Sequence, residues 1–368
     1  MSKVVGLAKE IKQGEFRVAL SPSGVAELIK NNINCIVETG AGFGVGYSDS
    51  DYEKVGAKIV SRKELFEKSE VLVKVKELQS EEIEMLQPDQ ILFAYLHLAG
   101  DKIQTEGLLK KKITGIAWET ITADDGSLPL LQPMSDIAGK LAVQHGAYYL
   151  TKVGGSAGIL LSGIAGVKRG KVLIIGGGIV GMNSAKMAIG LGAEVVIADK
   201  SLKKLNYLET IFGDRVSYIY ATDEGIKKEL PTSDLIIGAA LIPGAKAPIV
   251  VNREMLKLIR PGSVMVDVAI DQGGCFETSK ITSHKEPTFE IDGVIHYCVP
   301  NMPGLVARTA SAALNVTILP YTIKLAKFGL DALKNDKHFA KGLNVYDGKI
   351  TYKAVAESLN MPFDEINY

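Results

Sequence analysis

The stretch Gly176–Gly181 has the residue types and spacing that could bind the phosphates of a dinucleotide. It reads G-x-G-x-x-G, and it joins an apolar, β-prone run that starts at Lys171 to small residues with helical spacing. In such a turn Gly176 lets the chain bend, Gly178 lets the backbone approach a pyrophosphate, and Gly181 lets the helix pack on the strand. The N–H groups at the start of that helix would face the phosphates. An ordinary tight turn can also be rich in glycine, so the neighbouring elements decide between the two readings.

Asp199 supplies the second part of this signature. The run Glu194–Ala198 predicts the next strand, and Asp199 stands at its carboxyl end. A carboxylate at that place accepts hydrogen bonds from the adenosine ribose hydroxyls and repels a 2′-phosphate. Strand, glycine turn, helix, second strand and acidic residue occur in the required order. The sequence therefore predicts a Rossmann unit that binds NAD rather than NADP.

Three polar residues earlier in the chain could act on a small anionic substrate. Arg17 offers a planar fork that binds a carboxylate through two hydrogen bonds, although a surface arginine is the plainer alternative. Lys76 stands at the carboxyl end of the predicted strand Val71–Val75, where lysines are often simply solvated, and Lys74 is expected on the same face. His97 directly follows an apolar run; histidine titrates near neutrality, but a lone histidine is often structural.

Asp271 is a fourth candidate, in the second half of the chain. It follows the predicted strand Ser263–Val268 and precedes Gln-Gly-Gly, where the backbone could approach a ribose. An aspartate that only forms a turn is the alternative. Asp267, expected inside the strand, is the weaker candidate.

Composition limits the classes of function. The chain has 368 residues, which exceeds what one hydrophobic core usually serves, so two domains are expected. The chain has 42 lysine and arginine residues and 42 aspartate and glutamate residues. It therefore has no net positive charge that would attract nucleic acid or an acidic membrane. The three cysteines, Cys35, Cys275 and Cys298, fit neither a disulfide framework nor a zinc site. No signal peptide and no run of about 18 apolar residues is present, so we expect a cytoplasmic protein that binds small molecules.

Strands alternate with helices along most of the chain, which predicts an α/β fold with two doubly wound sheets. About six strands are expected in the second sheet. From Leu305 the pattern becomes helical as far as Phe328, with a kink expected at Pro320, and a hairpin is expected at Asp347-Gly348. This last segment returns the chain to the first domain. We therefore predict a Rossmann NAD-binding domain, 132–305, inserted in a discontinuous flavodoxin- or Rossmann-like substrate domain, 1–131 with 306–368.

The chain resembles the alanine dehydrogenase family, whose relatives are the NAD-binding subunit of proton-translocating transhydrogenase and, more distantly, saccharopine dehydrogenases. The matching text covers nearly the whole chain in order: 9–10 (KE), 15–22 (EFRVALSP), 73–77 (VKVKE), 95–99 (YLHLA), 133–139 (PMSDIAG), 244–248 (GAKAP), 266–276 (VDVAIDQGGCF) and 301–304 (NMPG). The resemblance implies reversible oxidative deamination of L-alanine to pyruvate and ammonium with NAD, by a homohexamer and without a metal.

The resemblance also implies roles for the four candidates. Arg17 would grip the substrate carboxylate, and Lys76 would be a second donor to the carboxylate or carbonyl oxygen. Hydride would pass from the alanine Cα to NAD and leave an iminopyruvate cation. His97 would act as general acid–base while Asp271 orients the attacking water, after which the carbinolamine expels ammonia.

Further contacts follow from the same resemblance. Tyr95, Leu131 and Met134 would line a pocket sized for a methyl group, and Asn301 would contact the substrate. The implied cofactor contacts are Ser135, Gly176, Gly178, Ile179, Val180, Gly181, Asp199, Lys204, Ala221, Ala240, Leu241, Val268, Ala269, Ile270, Asp271, Lys280, Val299, Asn301 and Met302. The chain departs from the family at Ser156-Ala157, at Ala307 and Ala310, and at Lys280, where an arginine is common.

Three alternatives remain open at this point. A transhydrogenase-type module would bind NAD(H) and pass hydride to another subunit, but that family lacks a histidine at position 97 and carries glutamate in place of Asp271. A non-catalytic NAD-binding protein on the same scaffold would bind cofactor without turnover. An enzyme for serine, 2-aminobutyrate, or glycine with glyoxylate would keep the chemistry and change the substrate.

Overall fold

The structure, a computed structural model, describes residues 2–240 and 247–366. The chain divides into two compact units, unit 1 (Met1–Pro133 with Gly304–Tyr368) and unit 2 (Met134–Pro303). Each unit contains a mostly parallel sheet, and the predicted α/β class with two doubly wound sheets is confirmed. One predicted cofactor contact, Leu241, lies outside the described residues, as does most of the 244–248 motif.

The elements are numbered in chain order. The strands are β1 (Val5–Leu7), β2 (Cys35–Glu38), β3 (Lys58–Val60), β4 (Val71–Val73), β5 (Ile91–Ala94), β6 (Thr114–Ala117), β7 (Lys171–Ile175), β8 (Glu194–Asp199), β9 (Ser217–Tyr220), β10 (Leu235–Gly238), β11 (Val264–Asp267), β12 (Thr288–Ile291), β13 (Val294–Tyr297), β14 (Leu343–Tyr346) and β15 (Lys349–Ile350). The helices are α1 (Pro22–Lys30), α2 (Asp49–Glu53), α3 (Arg62–Lys68), α4 (Ser80–Met85), α5 (Lys102–Lys111), α6 (Gln132–Tyr149), α7 (Ile179–Gly190), α8 (Leu202–Phe212), α9 (Asp223–Glu229), α10 (Arg253–Leu256), α11 (Ala307–Phe328), α12 (Asp331–Lys334), α13 (Lys337–Ala340) and α14 (Lys353–Leu359).

The sheet of unit 1 has the strand order β15-β14-β6-β5-β4-β1-β2-β3. Strands β1 to β6 are parallel, and β14 adds an antiparallel strand beside β6. Both faces of β1, β4 and β5 are buried, which explains why these strands read as short, continuous apolar runs. The order of connection reverses between β1 and β4. Ligands of open α/β sheets bind outside the carboxyl ends of the strands at such a point.

The carboxyl-terminal segment belongs to unit 1, and its packing shows why. Phe339 is fully buried, and its ring meets Phe93 of β5 edge to face, with ring centroids 6.2 Å apart. The β14–β15 hairpin turns through Asp347 and Gly348, whose φ angles of 44° and 76° are those of a type I′ turn. Helix α11 continues through Pro320, so this proline does not end the helix.

The sheet of unit 2 has the order β12-β13-β11-β10-β7-β8-β9. All neighbours are parallel except the edge strand β12, which runs antiparallel to β13. The expected six strands are present in the described part of unit 2, and β12 is an addition that the sequence did not suggest, because it is short and half exposed. The order of connection reverses between β7 and β10, and β7 leads directly into the glycine turn.

Local capping explains where two helices begin. The Ser21 hydroxyl accepts a hydrogen bond from the Gly24 N–H, and α1 begins at Pro22, directly after this cap. The Ser61 hydroxyl accepts a hydrogen bond from the Glu64 N–H, and α3 begins at Arg62, directly after this cap. Within the described residues, no helix is long and apolar enough to cross a membrane.

Replacing Phe339 by alanine should destabilise unit 1. The change removes a fully buried ring and leaves a cavity against β5, which costs about 3–5 kcal/mol in the free energy of unfolding. Phe328→Ala is the matched control, because that ring is 60% exposed and its loss should stay within about 0.5 kcal/mol. Thermal and urea unfolding of the two variants measure this difference. Equal destabilisation by both would contradict the packing described for Phe339.

Candidate functional site

The glycine turn of unit 2 has a distinct reason for each of its three key glycines. Gly176 has φ +114°, and a Cβ there would lie 2.4 Å from the Ala239 carbonyl oxygen. A Cβ at Gly181 would lie 1.8 Å from the Gly176 carbonyl oxygen. At Gly178, the residue before α7, an added Cβ would meet no described protein atom within 4 Å. Two glycines therefore permit close backbone packing, and the third leaves open space where a phosphate could approach the helix.

Asp199 ends β8 and is tied directly to this turn. Its Oδ2 accepts a hydrogen bond of 2.7 Å from the Gly177 N–H, and its Oδ1 accepts one of 2.8 Å from the Ser201 N–H. The Lys204 ammonium lies 3.7 Å from Oδ2. The side chain is about one-tenth exposed, so the carboxylate is held in place at the carboxyl edge of the sheet. Each carboxylate oxygen has a second lone pair, which a ribose hydroxyl could use.

The other predicted cofactor contacts of unit 2 follow the carboxyl ends of neighbouring strands. Ala221 comes after β9, Ala240 after β10, 268–271 after β11 and 299–302 after β13. Because these strands are parallel neighbours, their loops lie along one edge of the sheet.

Ser135 lies on helix α6, which packs against α7. There the Ser184 hydroxyl donates a hydrogen bond to the Gly139 carbonyl, and a Cβ at Gly139 would lie 2.3 Å from the Val180 carbonyl oxygen.

The loop that carries Asp271 is fixed by a buried carboxylate. Asp267, at the end of β11, accepts hydrogen bonds from the N–H groups of Ala269, Cys275 and Phe276. Asp271 itself is exposed, and its Oδ2 accepts a hydrogen bond of 3.3 Å from the Asn301 N–H. Asp267 therefore lies inside the strand, as the sequence suggested, and acts on the loop rather than facing solvent.

Two positions where the chain departs from the family are explained by local contacts. The Lys280 ammonium lies 4.3 Å from the centre of the Phe289 ring, a cation–π contact within unit 2. The Ser156 hydroxyl donates to the Gly262 carbonyl and ties its loop to the turn before β11. Ala307 and Ala310 are buried in α11 of unit 1.

Arg17 lies in the loop that follows β1 and is only 2% exposed. Its Nε and Nη2 donate hydrogen bonds of 2.7 and 2.6 Å to the two carboxylate oxygens of Glu15. Burial lowers the pKa of Arg17, but the hydrogen bonds and charge of Glu15, together with Tyr95 and Glu10, raise the pKa above its usual value. The guanidinium is therefore charged, buried and fixed in plane by its neighbour.

The segment that follows β4 corrects one expectation. β4 ends at Val73, earlier than the predicted Val75, so Lys74 and Lys76 do not share a strand face. Lys74 is fully buried, and its Nζ lies 2.8 Å from both carboxylate oxygens of Glu82. Lys76 is partly buried, with Nζ 4.0 Å from Glu77 Oε2. Lys74 is an internal ion-pair residue, and the expectation that it lies on the same strand face as Lys76 is wrong.

His97 follows β5 in a left-handed conformation with φ 49°. Its ring stacks on Tyr95, with centroids 5.9 Å apart, and 47% of its side chain is exposed. Glu119 accepts hydrogen bonds from the N–H groups of Leu96 and His97, the latter at 2.6 Å, and its Oε1 lies 3.9 Å from His97 Nδ1. The Glu119 carboxylate therefore fixes the conformation of the turn that carries the His97 imidazole.

The substrate-pocket candidates lie in different units. Tyr95 is buried, and its hydroxyl donates a hydrogen bond of 2.6 Å to the carbonyl of Leu130, the neighbour of Leu131; burial raises the pKa of the Tyr95 phenol. Arg17, Lys76, Tyr95, His97 and Leu131 belong to unit 1, and Met134, Ser135, Asp271 and Asn301 belong to unit 2.

Sequence reasoning missed the acidic partners Glu10, Glu15 and Glu119. Only Glu15 left a usable signal, because an acidic residue two positions before a buried arginine can reach back to its guanidinium.

Known proteins resemble this chain along its whole length. The families described as alanine dehydrogenase/PNT, N-terminal domain and C-terminal domain match residues 6–138 and 142–353. A protein named alanine dehydrogenase from Halomonas elongata is 52% identical over 98% of both chains, and one from Methanococcus maripaludis is 48% identical over 98% of this chain and 97% of that one.

Solved structures of the same two kinds of protein are also similar to this chain. A structure named L-alanine dehydrogenase has a TM-score of 0.95 and 50% identity, and the match covers 97% of this chain and 99% of that chain. A transhydrogenase from Sinorhizobium meliloti has a TM-score of 0.83 and 25% identity, covering 96% of this chain and all of that one. Both domains of the family match in order, and relatives are about half identical over nearly the whole length, so the chain belongs to the alanine dehydrogenase/PNT family.

Proposed function

We propose that the chain is an NAD-dependent L-alanine dehydrogenase, which catalyses the reversible oxidative deamination of L-alanine to pyruvate and ammonium. The observation that carries the proposal is the placement of Arg17, Lys76 and His97 in the loops after β1, β4 and β5. These three strands are parallel neighbours, and the connection reverses between two of them. A guanidinium, an ammonium and an imidazole therefore lie where such sheets bind ligands.

In this proposal Arg17 and Lys76 bind the substrate carboxylate. Glu15 occupies the Nε–Nη2 edge of Arg17 and fixes the plane of the guanidinium before the substrate arrives. A fixed donor loses little conformational entropy on binding, which favours one orientation of the amino acid. Unit 1 is accordingly assigned as the substrate domain.

Unit 2 is assigned as the NAD-binding domain. The open space at Gly178 fits a phosphate at the start of α7, and the fixed carboxylate of Asp199 fits a ribose. The remaining cofactor contacts named from the sequence complete the assignment, with Leu241 among them. NAD, when bound, accepts the hydride from the substrate Cα.

His97 and Asp271 are assigned to the proton transfers. His97 takes a proton as water adds to the imine carbon and returns one to the departing ammonia. The His97 ring is about half exposed, so it can exchange protons with solvent. Glu119 fixes the turn that carries the ring, which keeps the ring oriented. Asp271 orients the water. Tyr95, Leu131 and Met134 restrict the substrate side chain to about a methyl group, and Asn301 contacts the substrate.

The competing functions have less support. Relatives named alanine dehydrogenase are 46–52% identical, whereas the transhydrogenase structure is 25% identical. A non-catalytic NAD-binding protein would have little reason to keep Arg17, Lys76, His97 and Asp271 together.

Assembly and location are further proposals. The family resemblance supports a homohexamer, which the molar mass from light scattering would test. The three cysteines are all free and buried, which suits a reducing cytoplasm.

Turnover with a series of short amino acids tests the proposed function. Purified protein with NAD should produce reduced cofactor fastest with L-alanine, and more slowly with serine, 2-aminobutyrate and glycine. Pyruvate and ammonium should appear in equal amounts. Binding of NADH without turnover of any of these amino acids would instead support the non-catalytic alternative.

Replacing His97 by alanine should lower turnover by about 10²–10⁴-fold, because the general acid–base is removed. The NADH dissociation constant should stay within about twofold, since His97 belongs to unit 1. Steady-state kinetics and NADH fluorescence titration measure the two effects. His284→Ala is the control, because His284 is an exposed histidine of unit 2. A large loss of NADH affinity in His97→Ala would mean that His97 has a structural role.

Replacing Asp199 by alanine should lower the preference for NAD over NADP, measured as the ratio of kcat/KM values, by at least about tenfold. The change removes the carboxylate that repels a 2′-phosphate, and the nearby Lys204 ammonium then attracts it. Affinity for NAD should also fall, because Gly177 and Ser201 lose their acceptor. Asp214→Ala, an exposed aspartate after α8, is the control. An unchanged ratio would be incompatible with the assignment of Asp199.

A further inference from the structure

Glu10 is a buried carboxylate that none of the assigned roles uses. It lies in the loop after β1 and is 8% exposed. Its Oε1 accepts a hydrogen bond of 2.5 Å from the Val75 N–H, and its Oε2 accepts one of 3.4 Å from the Lys76 N–H. These two residues are 65 and 66 positions away in the sequence. The loop after β1 therefore holds the backbone of the loop after β4 at the residue that carries the substrate-binding ammonium.

The Lys74 side chain provides a second set of contacts to the same segment. Lys74 Nζ lies 3.5 Å from Glu10 Oε2 and 2.8 Å from both oxygens of Glu82. Glu82 also accepts a hydrogen bond of 2.7 Å from the Gln79 N–H. The segment 74–79 is thus attached near both of its ends to one buried cluster of three charges. Few rearrangements of Lys76 are possible without breaking one of these contacts.

The charges around Glu10 come from three elements. Burial raises the pKa of Glu10 to about 7, while Lys74 and the Val75 N–H lower it and Glu15 and Glu82 raise it. Glu10 also interacts electrostatically with Arg17. Glu10 is therefore a buried acidic group that interacts with Lys74 and Arg17 and binds the backbone of Lys76. Burial of such a group is costly unless ion pairs and hydrogen bonds compensate it.

We propose that Glu10 is a positioning residue for Lys76, and that its carboxylate fixes the backbone from which the Lys76 ammonium reaches the substrate carboxylate. The inference rests on the proposed function, because it assigns Glu10 an effect on substrate binding through Lys76. A displacement of about 1 Å at a substrate-binding group is enough to lower catalytic efficiency considerably. Glu10 does not contact the substrate in this account.

A double-mutant cycle tests the proposal with pyruvate, ammonium and NADH. Glu10→Gln should raise the KM for pyruvate by about tenfold, because one of the two backbone acceptors is lost. The dissociation constant of NADH should stay within about twofold. In a Lys76→Ala background, Glu10→Gln should lower kcat/KM for pyruvate by less than about twofold more, since the group it positions is already absent.

The outcomes separate the possible explanations. An equal loss in both backgrounds, or an equal weakening of NADH and pyruvate, would overturn the positioning role and leave the proposed function intact. A wild-type protein that does not turn over pyruvate would overturn both. If Glu10→Gln does not fold, Glu10→Asp takes its place in the same cycle, because the shorter side chain keeps the charge but cannot reach both N–H groups.

Asp234→Asn is the matched control. Asp234 is a buried carboxylate that accepts a hydrogen bond from a backbone N–H, that of Lys171, at the amino-terminal end of β7. That end of the sheet is opposite to the carboxyl edge where the cofactor contacts are assigned. The control should lower the melting temperature as a lost buried carboxylate does, with the KM for pyruvate unchanged. A similar rise in KM in Asp234→Asn would show that the readout reports general destabilisation.

Discussion

Parallel strand order is the constraint on which the arrangement of both units depends. In each sheet the chain first builds outward in one direction and then returns to build in the other, so that the connection reverses at β1/β4 in unit 1 and at β7/β10 in unit 2. Parallel strands all end at the same edge, and the loops after them lie side by side. Because of this constraint, Lys76 lies near the loop of Arg17 and the glycine turn lies near Asp199, although these residues are far apart in the sequence.

Buried charge is the second theme of unit 1. A cation taken out of water is costly unless an anion and further hydrogen bonds accompany it. Arg17 has Glu15, and Lys74 has Glu82 with Glu10 close by. Such pairs contribute little net stability, but the hydrogen bonds between the partners fix the orientation of both side chains. The loops that carry the proposed substrate site are therefore fixed before the substrate binds. Glu15 is the acidic partner of Arg17, and Glu82 and Glu10 are those of Lys74.

Local signals in the sequence were sufficient to predict most of the strands and the glycine turn that follows β7. The roles of Gly176, Gly181 and Asp199 depend on spacing within one βαβ unit, and the structure has the geometry that this spacing predicts. The site residues of unit 1 were a different matter. Arg17, Lys76 and His97 could be named as candidates from residue type and position, but only the resemblance gave them roles. Each lies in a separate loop, and the plainer alternative for each was a solvated or structural side chain.

What the sequence could not indicate depended on tertiary contacts. β4 ends at Val73, and in the segment that follows, Glu10 and Glu82 accept hydrogen bonds from backbone N–H groups. A periodic pattern in the sequence does not show such contacts. For the same reason the sequence did not indicate the ion pair between Lys74 and Glu82, although the two residues are only eight positions apart. The cation–π contact between Lys280 and Phe289 could not be predicted either, because Phe289 comes from the edge strand β12, which the sequence did not suggest.

In the proposed reaction, hydride passes directly from the Cα of L-alanine to NAD. Turnover of L-alanine carrying deuterium at Cα, followed by mass spectrometry of the cofactor, tests it most directly. We expect one deuterium in the reduced nicotinamide ring for each pyruvate formed, together with a slower rate if the transfer limits turnover. Reduced cofactor without deuterium, or deuterium released to water, would contradict direct hydride transfer.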